Sequence, residues 1–405
     1  MLRCGTQAPL QTQGHSGICK QTQFEHHESC VTIATSAMNW PFSRPAISLI
    51  LGLLLCFVAP NAPAQQVESA YGPLPVFEFH SGFWVNLHHF LYHEARARAD
   101  AKARGNPPPK PTGPVMKQGP DTGVTLSPTE QKTWDEAISY YIANYTNKDM
   151  QVNIDLILLN NQLGDFEDCN ELLGKRKRAC DAGLPGNIGV ILEAAAPIYR
   201  AHWWADHDRS NRRWVVRMAP LVREQGVGLS ERLADIYQAK WPKEKIRVEV
   251  CAFANAAGAY TTLDPLRVTI ASTDSRNQGP EALEVVFLEA SHDIARPVED
   301  AISRECKQRD KPIPRDLWHA LILYTTGEVI SPVMEDPSPE SSSTDASTDG
   351  TLHKFKTNGI TTELRAKFTQ RGWNEYLLVI TMYWQPYLDG HVSFEDAIAH
   401  LVSAV

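Results

Sequence analysis

The sequence predicts a mainly helical α+β protein, and three observations carry that expectation. Long stretches repeat their apolar residues at helical spacing and are bounded by capping residues. Alternation of period two is concentrated between residues 245 and 271. The composition of the 405 residues, 43% hydrophobic and 21% charged, is that of a globular chain with enough apolar material for a sizeable core. A formal net charge of −8, with no basic stripe interleaved with aromatics, argues against nucleic acid as a partner.

Residues 1–37 look like neither signal nor domain and read as a misassigned N-terminal extension before Met38. Residues 38–64 read as a secretory signal peptide: Arg44 supplies the positive charge, Ala46 to Val58 the apolar run, and Ala62-Pro63-Ala64 the small-x-small cleavage pattern. The run is too short to span a bilayer comfortably, so no stable membrane span is expected after cleavage. The chain is therefore expected to be exported, to a periplasmic or extracellular space. Disulfides are allowed there. Cys169 and Cys180 are a plausible local pair, whereas spacing alone does not pair Cys251 with Cys306.

Residues 65–241 read as a helical N-terminal region. Phe77 to Gly82 is a short extended segment, followed by a helix from Phe83 to about Ala103. The glycine- and proline-rich stretch from Gly105 to Gly123 is a loop. Ser127-Pro128-Thr129-Glu130 is a capping-box start for a helix to about Tyr145. Val152 to Leu163 has the composition of a buried helix, and Asp165 to Pro185 that of a polar loop. Asn187 to Arg223 predicts a long helix with a break near Asp206, and Leu229 to Trp241 a further helix stopped by Pro242.

Residues 242–330 change character. Lys245–Val250, Ala259–Thr262 and Arg267–Ala271 are strand signals and predict a small antiparallel sheet. A helix over 280–296 follows, with acidic residues in its first turn. Arg315 to Thr326 is another helix, stopped by Gly327. Residues 331–358 are an acidic Ser/Pro/Asp-rich insertion with little to bury. Residues 359–405 hold C-terminal helices at about Thr361–Gln370, Trp373–Leu388 and Ser393–Val402.

The chemistry-bearing motif lies on the 280–296 helix. Leu288-Glu289-Ala290-Ser291-His292 has the form of the H-E-x-x-H box with leucine at its first position. That box sets two imidazoles one turn apart to hold Zn²⁺, with the glutamate as general base on a bound water. Strands, then this helix, then a later helix carrying a glutamate: the segment resembles a gluzincin-type zincin metallopeptidase, over residues 245–330. The resemblance implies a zincin-like core, Glu289 as water-activating base, His292 and Glu328 as zinc ligands, and, in the strand Arg267–Thr273 just before the helix, an edge strand that receives extended peptide. Leucine cannot coordinate, and the two remaining ligands fall short of the three of a catalytic zinc. His319 is a further candidate ligand. On one continuous helix, however, residues 319 and 328 point to opposite sides.

Two other histidine groups are pocket candidates. His89 and His93 have i, i+4 spacing, and His202, His207 and Asp208 sit in a cluster rich in tryptophan. Beside so many aromatics, these histidines also suit a core in which each makes one hydrogen bond. No Gly-x-Ser-x-Gly elbow, Walker loop, Gly-x-Gly-x-x-Gly turn or Cys-x-x-Cys pair occurs. The expectations are therefore a metallopeptidase-related protein acting on peptide or protein, degenerate at the metal, or a non-catalytic exported helical binding or envelope-associated domain.

Overall fold

The computed structural model describes residues 76–105, 124–167, 184, 187–279, 281–335 and 362–405. All of them belong to one compact unit, residues 60–405. The extension, the signal segment, Cys169, Cys180, most of the Gly/Pro loop and residues 336–358 lie outside the described residues.

At the centre is a four-stranded sheet: β1 (Phe77–His80), β2 (Ile246–Cys251), β3 (Ala259–Leu263) and β4 (Leu266–Ala271), in the order β1-β2-β4-β3. It is mixed, not antiparallel as the sequence suggested. β1 and β2 are parallel, β2 and β4 are parallel, and only β3 runs against its neighbour β4. The cause is the connection. Residues 252–258 carry the chain past one strand position, β3 descends at the edge, and the turn at Asp264 and Pro265 sends β4 back up beside β2. The extended segment at Phe77 supplies the fourth strand.

Strand alternation gives the sheet two distinct faces. Phe77, Phe79, Ile246, Val248, Val250, Val268 and Ile270 enter the larger core. Three helices help to build that core: α5 (Ala205–Ile236), α6 (Glu281–Ile294) and α8 (Leu317–Glu335). The ring of Phe287 on α6 meets Phe77 edge-on at 5.0 Å. On the opposite face a second, aromatic-rich core is formed by α1 (Phe83–Ala103), α2 (Pro128–Asn144), α3 (Ile154–Asp165) and α4 (Ile188–Tyr199). The polar strand residues on that side are not wasted. Arg247 binds Glu249, Glu167 and the carbonyl of Gly164, and Arg267 binds Asp165 and the carbonyl of Asn161. Gly164 is what lets α3 come so near. A Cβ there would lie 2.5 Å from the Arg267 guanidinium and 2.7 Å from the Glu249 carboxylate.

Several helix limits follow local chemistry. Ser127 caps α2, with its hydroxyl accepting from the Glu130 N–H and the Glu130 carboxylate accepting from the Ser127 N–H. The break expected near Asp206 is instead a π-helical turn at Arg200–Trp204 joining α4 to α5. α5 then runs through Gly226, where a Cβ would meet Val76 of the chain entering β1 at 2.9 Å. A helix the sequence reading lacked, α7 (Arg296–Gln308), starts immediately after α6 and buries Val298, Ala301, Ile302 and Cys306. α8 passes through Gly327 and continues to Glu335, so the first residues assigned to the acidic insertion are helical. The chain closes with α9 (Thr362–Arg371), α10 (Asn374–Tyr383), the short α11 (Gln385–Leu388) and α12 (Phe394–Ala404), the last capped by Ser393. Cys251 and Cys306 are buried free thiols. No helix among the described residues is long and apolar enough to cross a membrane.

Candidate functional site

Strand β3 places Thr261 against the box helix α6. Its hydroxyl lies 2.8 Å from both the Glu289 carboxylate (Oε2) and the Glu289 carbonyl, which fixes where the carboxylate points. One turn on, His292 Nδ1 is 3.1 Å from the same carbonyl and 3.7 Å from the carboxylate. With Nδ1–H turned toward the carbonyl, the lone pair of Nε2 faces away from α6. There it meets Nε2 of His319, 3.3 Å away, at the start of α8.

Aromatic rings fix both imidazoles. Trp318 stacks on His319 with centroids 5.1 Å apart and an interplanar angle of 16°, and it meets His292 edge-on at 5.8 Å. Trp373, between α9 and α10, lies 5.3 Å from the His319 ring. The guanidinium of Arg371 sits 5.5 Å from the centroid of Trp373, at the exposed rim. Burial pushes the His319 imidazole down to about 3, with the nearby His292 and Arg371 adding to the effect, so it is neutral at physiological pH. Glu289, His292, His319, Trp318 and Trp373 are all partly exposed, so the group is reachable from solvent.

Glu328 is not part of this group. It lies nine residues beyond His319 on the unbroken α8, about 13 Å along the axis and on the opposite side of the helix. Its charge acts instead on Tyr324, whose phenol is raised first by burial and then by Glu328. The helix was expected to stop at Gly327, but that glycine serves close packing: a Cβ would lie 3.2 Å from Leu364 of α9.

The remaining candidates lie outside this group, though His93 and His207 both pack on the ring of Phe253. His89 is buried in the second core, with Nδ1 2.7 Å from the Val85 carbonyl and Nε2 2.9 Å from the Tyr260 hydroxyl. His93 stacks on Phe253 at 4.3 Å. His202 pairs with Glu130 at 3.0 Å, at the α2 capping box. His207 is buried with Nδ1 2.8 Å from the Tyr199 hydroxyl, and Asp208 binds Ser81 and Arg212 and does not orient a histidine. His89 and His93 thus have separate partners, and so do His202 and His207.

A zinc held as the box implies does not fit these residues. Two imidazoles converge, leucine stands at the third position, and Glu328 is elsewhere. No group of three or more His, Cys, Asp or Glu among the described residues is arranged to hold a metal.

Beside the site the edge of the sheet is β3; the strand at Arg267–Thr273, which the sequence offered as the edge, is β4 and lies inside the sheet between β2 and β3. The Ala271 N–H donates to the Gly258 carbonyl at 2.8 Å, so in the Ala259↔Ile270 register residues 258, 260 and 262 bond inward to β4. The main-chain groups of Ala259, Thr261 and Leu263 therefore point away from β4; Thr261 is partly exposed and Leu263 exposed, while Ala259 is buried. A separate cavity of about 830 Å³ lies beyond the carboxyl ends of β2 and β4, lined by His93, Phe253 and Arg276 among others. Its lining includes none of the box residues. Thr261, Trp318, Trp373 and Arg371 went unnoticed in the sequence. For Thr261 the signal existed, since it lies on a period-two strand just before the box helix. For Arg371 and Trp373, some eighty residues downstream, there was none.

No family model, no curated protein and no solved structure matches this chain.

Proposed function

We propose that this is an exported zincin-like protein whose cleft binds extended peptide and does not carry out zinc-dependent hydrolysis. The observation that carries the reading is the convergence of Glu289, His292 and His319 beside an antiparallel edge strand, with leucine at the first box position. The resemblance implies an edge strand next to the box helix, and β3 stands there, its Thr261 joined to Glu289. A peptide laid along the accessible part of β3 would pair with the outward groups of Thr261 and Leu263, a form of strand addition. Trp318 and Trp373 offer apolar surface to its side chains, and Arg371 offers a cation at the rim.

The chemistry follows from what the residues can hold. Glu289 could accept a proton, but two imidazoles with no third ligand among the described residues fall short of the three that hold a catalytic zinc to acidify water. Binding without turnover is what remains. The test is fluorescence anisotropy against a library of labelled unstructured peptides, with mass spectrometry of the same samples. The expected outcome is saturable binding with intact peptide. Efficient cleavage that depends on Glu289, or no binding at all, overturns the proposal.

A further inference from the structure

We propose that the cavity beyond the carboxyl ends of β2 and β4 is a binding site for a small planar aromatic anion. The ligand's ring lies against Tyr92 and Phe253, His93 hydrogen-bonds to it, and its anionic group is drawn to Arg96 and Arg276. The site stands apart from the peptide cleft, since none of the box residues lines this cavity.

The first argument is place and size. β1, β2 and β4 run parallel, and the chain leaving β2 after Cys251 and β4 after Ala271 forms part of the wall. In open sheets the crevice outside the carboxyl ends of parallel strands is where ligands bind, on loops that the strands hold in place. A volume of about 830 Å³ falls within the range of small-molecule sites.

The second argument is an imidazole left without a partner. His93 stacks on Phe253 with centroids 4.3 Å apart and an interplanar angle of 21°, yet it makes no hydrogen bond to another described residue. The buried histidines nearby, His88, His89 and His207, each have one. Burial lowers the His93 imidazole from its ordinary value, so at neutral pH it offers one donor and one acceptor nitrogen. Tyr92 beside it is buried, and its hydroxyl donates to the Lys148 carbonyl at 2.9 Å. What Tyr92 adds to the wall is therefore apolar ring.

The third argument is charge. Arg96, Arg104, Lys148 and Arg276 line the cavity against Asp100, Asp149 and Asp274, an excess of positive charge in a chain whose net charge is −8. Much of this is already engaged. Asp274 binds Arg276, Asp149 accepts from the Gln151 N–H, and Lys148 pairs with Asp155 outside the cavity lining. That leaves Arg96 and Arg104 against one uncommitted carboxylate, Asp100. Arg96 ends on a neutral acceptor, the Thr146 carbonyl, at 2.7 Å, so its charge is not cancelled there. Arg276 is fixed by Asp274 and by the Ala256 carbonyl at 2.9 Å, and among the described residues its Nη1 has no partner. The exposed N–H groups of Ala256 and Ala257, on the loop that Arg276 grips, make no hydrogen bond to a described residue. Guanidinium forks already oriented in this way favour an anion, which gains charge-assisted hydrogen bonds.

The experiment titrates the full chain with anilinonaphthalene sulfonate, an aromatic anion whose fluorescence rises on burial, and with phenylnaphthylamine, the same rings without the sulfonate. Saturable binding of the sulfonate at one equivalent is expected. Removing the sulfonate should weaken binding about tenfold, as should Arg96→Gln combined with Arg276→Gln. His93→Leu should weaken it about fivefold, the loss of one neutral hydrogen bond. His319→Ala should leave it unchanged. Equal binding of the two dyes, indifference to Arg96 and Arg276, or loss with His319→Ala overturns the site. Both arginines are exposed, so their double variant still decides if His93→Leu fails to fold. Peptide binding is measured separately, so failure of this site and failure of the peptide reading give different results.

Discussion

His89 shows how one residue type serves two purposes in this chain. It resembles a ligand in the sequence, yet it is buried completely, with its ring nitrogens facing a carbonyl and a phenol. Burial holds its imidazole down to about 4, and His207 is held to about 4 by the same cause. Both stay neutral in the fold, while in the unfolded chain they would protonate near 6.5. Between about pH 6.5 and 4 the unfolded state therefore binds protons that the folded state does not, and stability falls as pH falls. For His89 alone the loss is about 3 kcal/mol across that window. His80 runs the other way: burial would lower it, but its bond to Glu167 leaves it raised. Urea midpoints at pH 7.5 and 4.5 should show clear acid destabilisation, and His89→Gln should flatten the slope. A midpoint indifferent to pH contradicts the assignment of these histidines to the core.

At the scale of elements, Gly164 and β3 make the sharpest predictions. Gly164→Ala forces a methyl group against the ends of the Glu249 side chain, 1% exposed, and the Arg267 side chain, so these buried partners must shift within the α3–sheet interface. Overpacking of this kind costs about 1–3 kcal/mol, measurable as a lower denaturation midpoint with the fold retained. β3 predicts that N-methylation of alternate amides weakens a bound peptide at least tenfold in one register and little in the other, because only alternate amides face the strand. Equal effects in both registers would contradict strand addition.

What the sequence made legible is itself an element-scale matter. The capping box announced α2, and alternation located the strands, because capping and burial are local. Strand direction was not legible: alternation tells which face a residue takes, not which strand lies beside it. α7 is absent from the sequence expectation, which ends the helix at 296, although Pro297 is favourable in the first turn of a new helix. The spacing of Val298, Ala301, Ile302 and Cys306 held the signal. The site was half legible. The box named Glu289 and His292, but Gly327 was read as a helix end, which kept Glu328 in view beside His319. Only the unbroken α8 decides between them.

For the whole molecule, two cores on opposite faces of one sheet hold the site in place. α6 and α8 are both embedded in the larger core, so His292 and His319 meet through two anchored helices rather than through loops. Leu288, on the same helix as His292, belongs to that core. The central claim is that this frame presents Glu289, His292 and His319 to a peptide. Two-dimensional NMR of the protein, titrated with the tightest peptide from the library, tests it most directly. The account predicts that the ring signals of His292, His319, Trp318 and Trp373 shift together and saturate at one equivalent. Shifts confined to His93 and Phe253 at the other cavity, with these four rings unmoved, would contradict it.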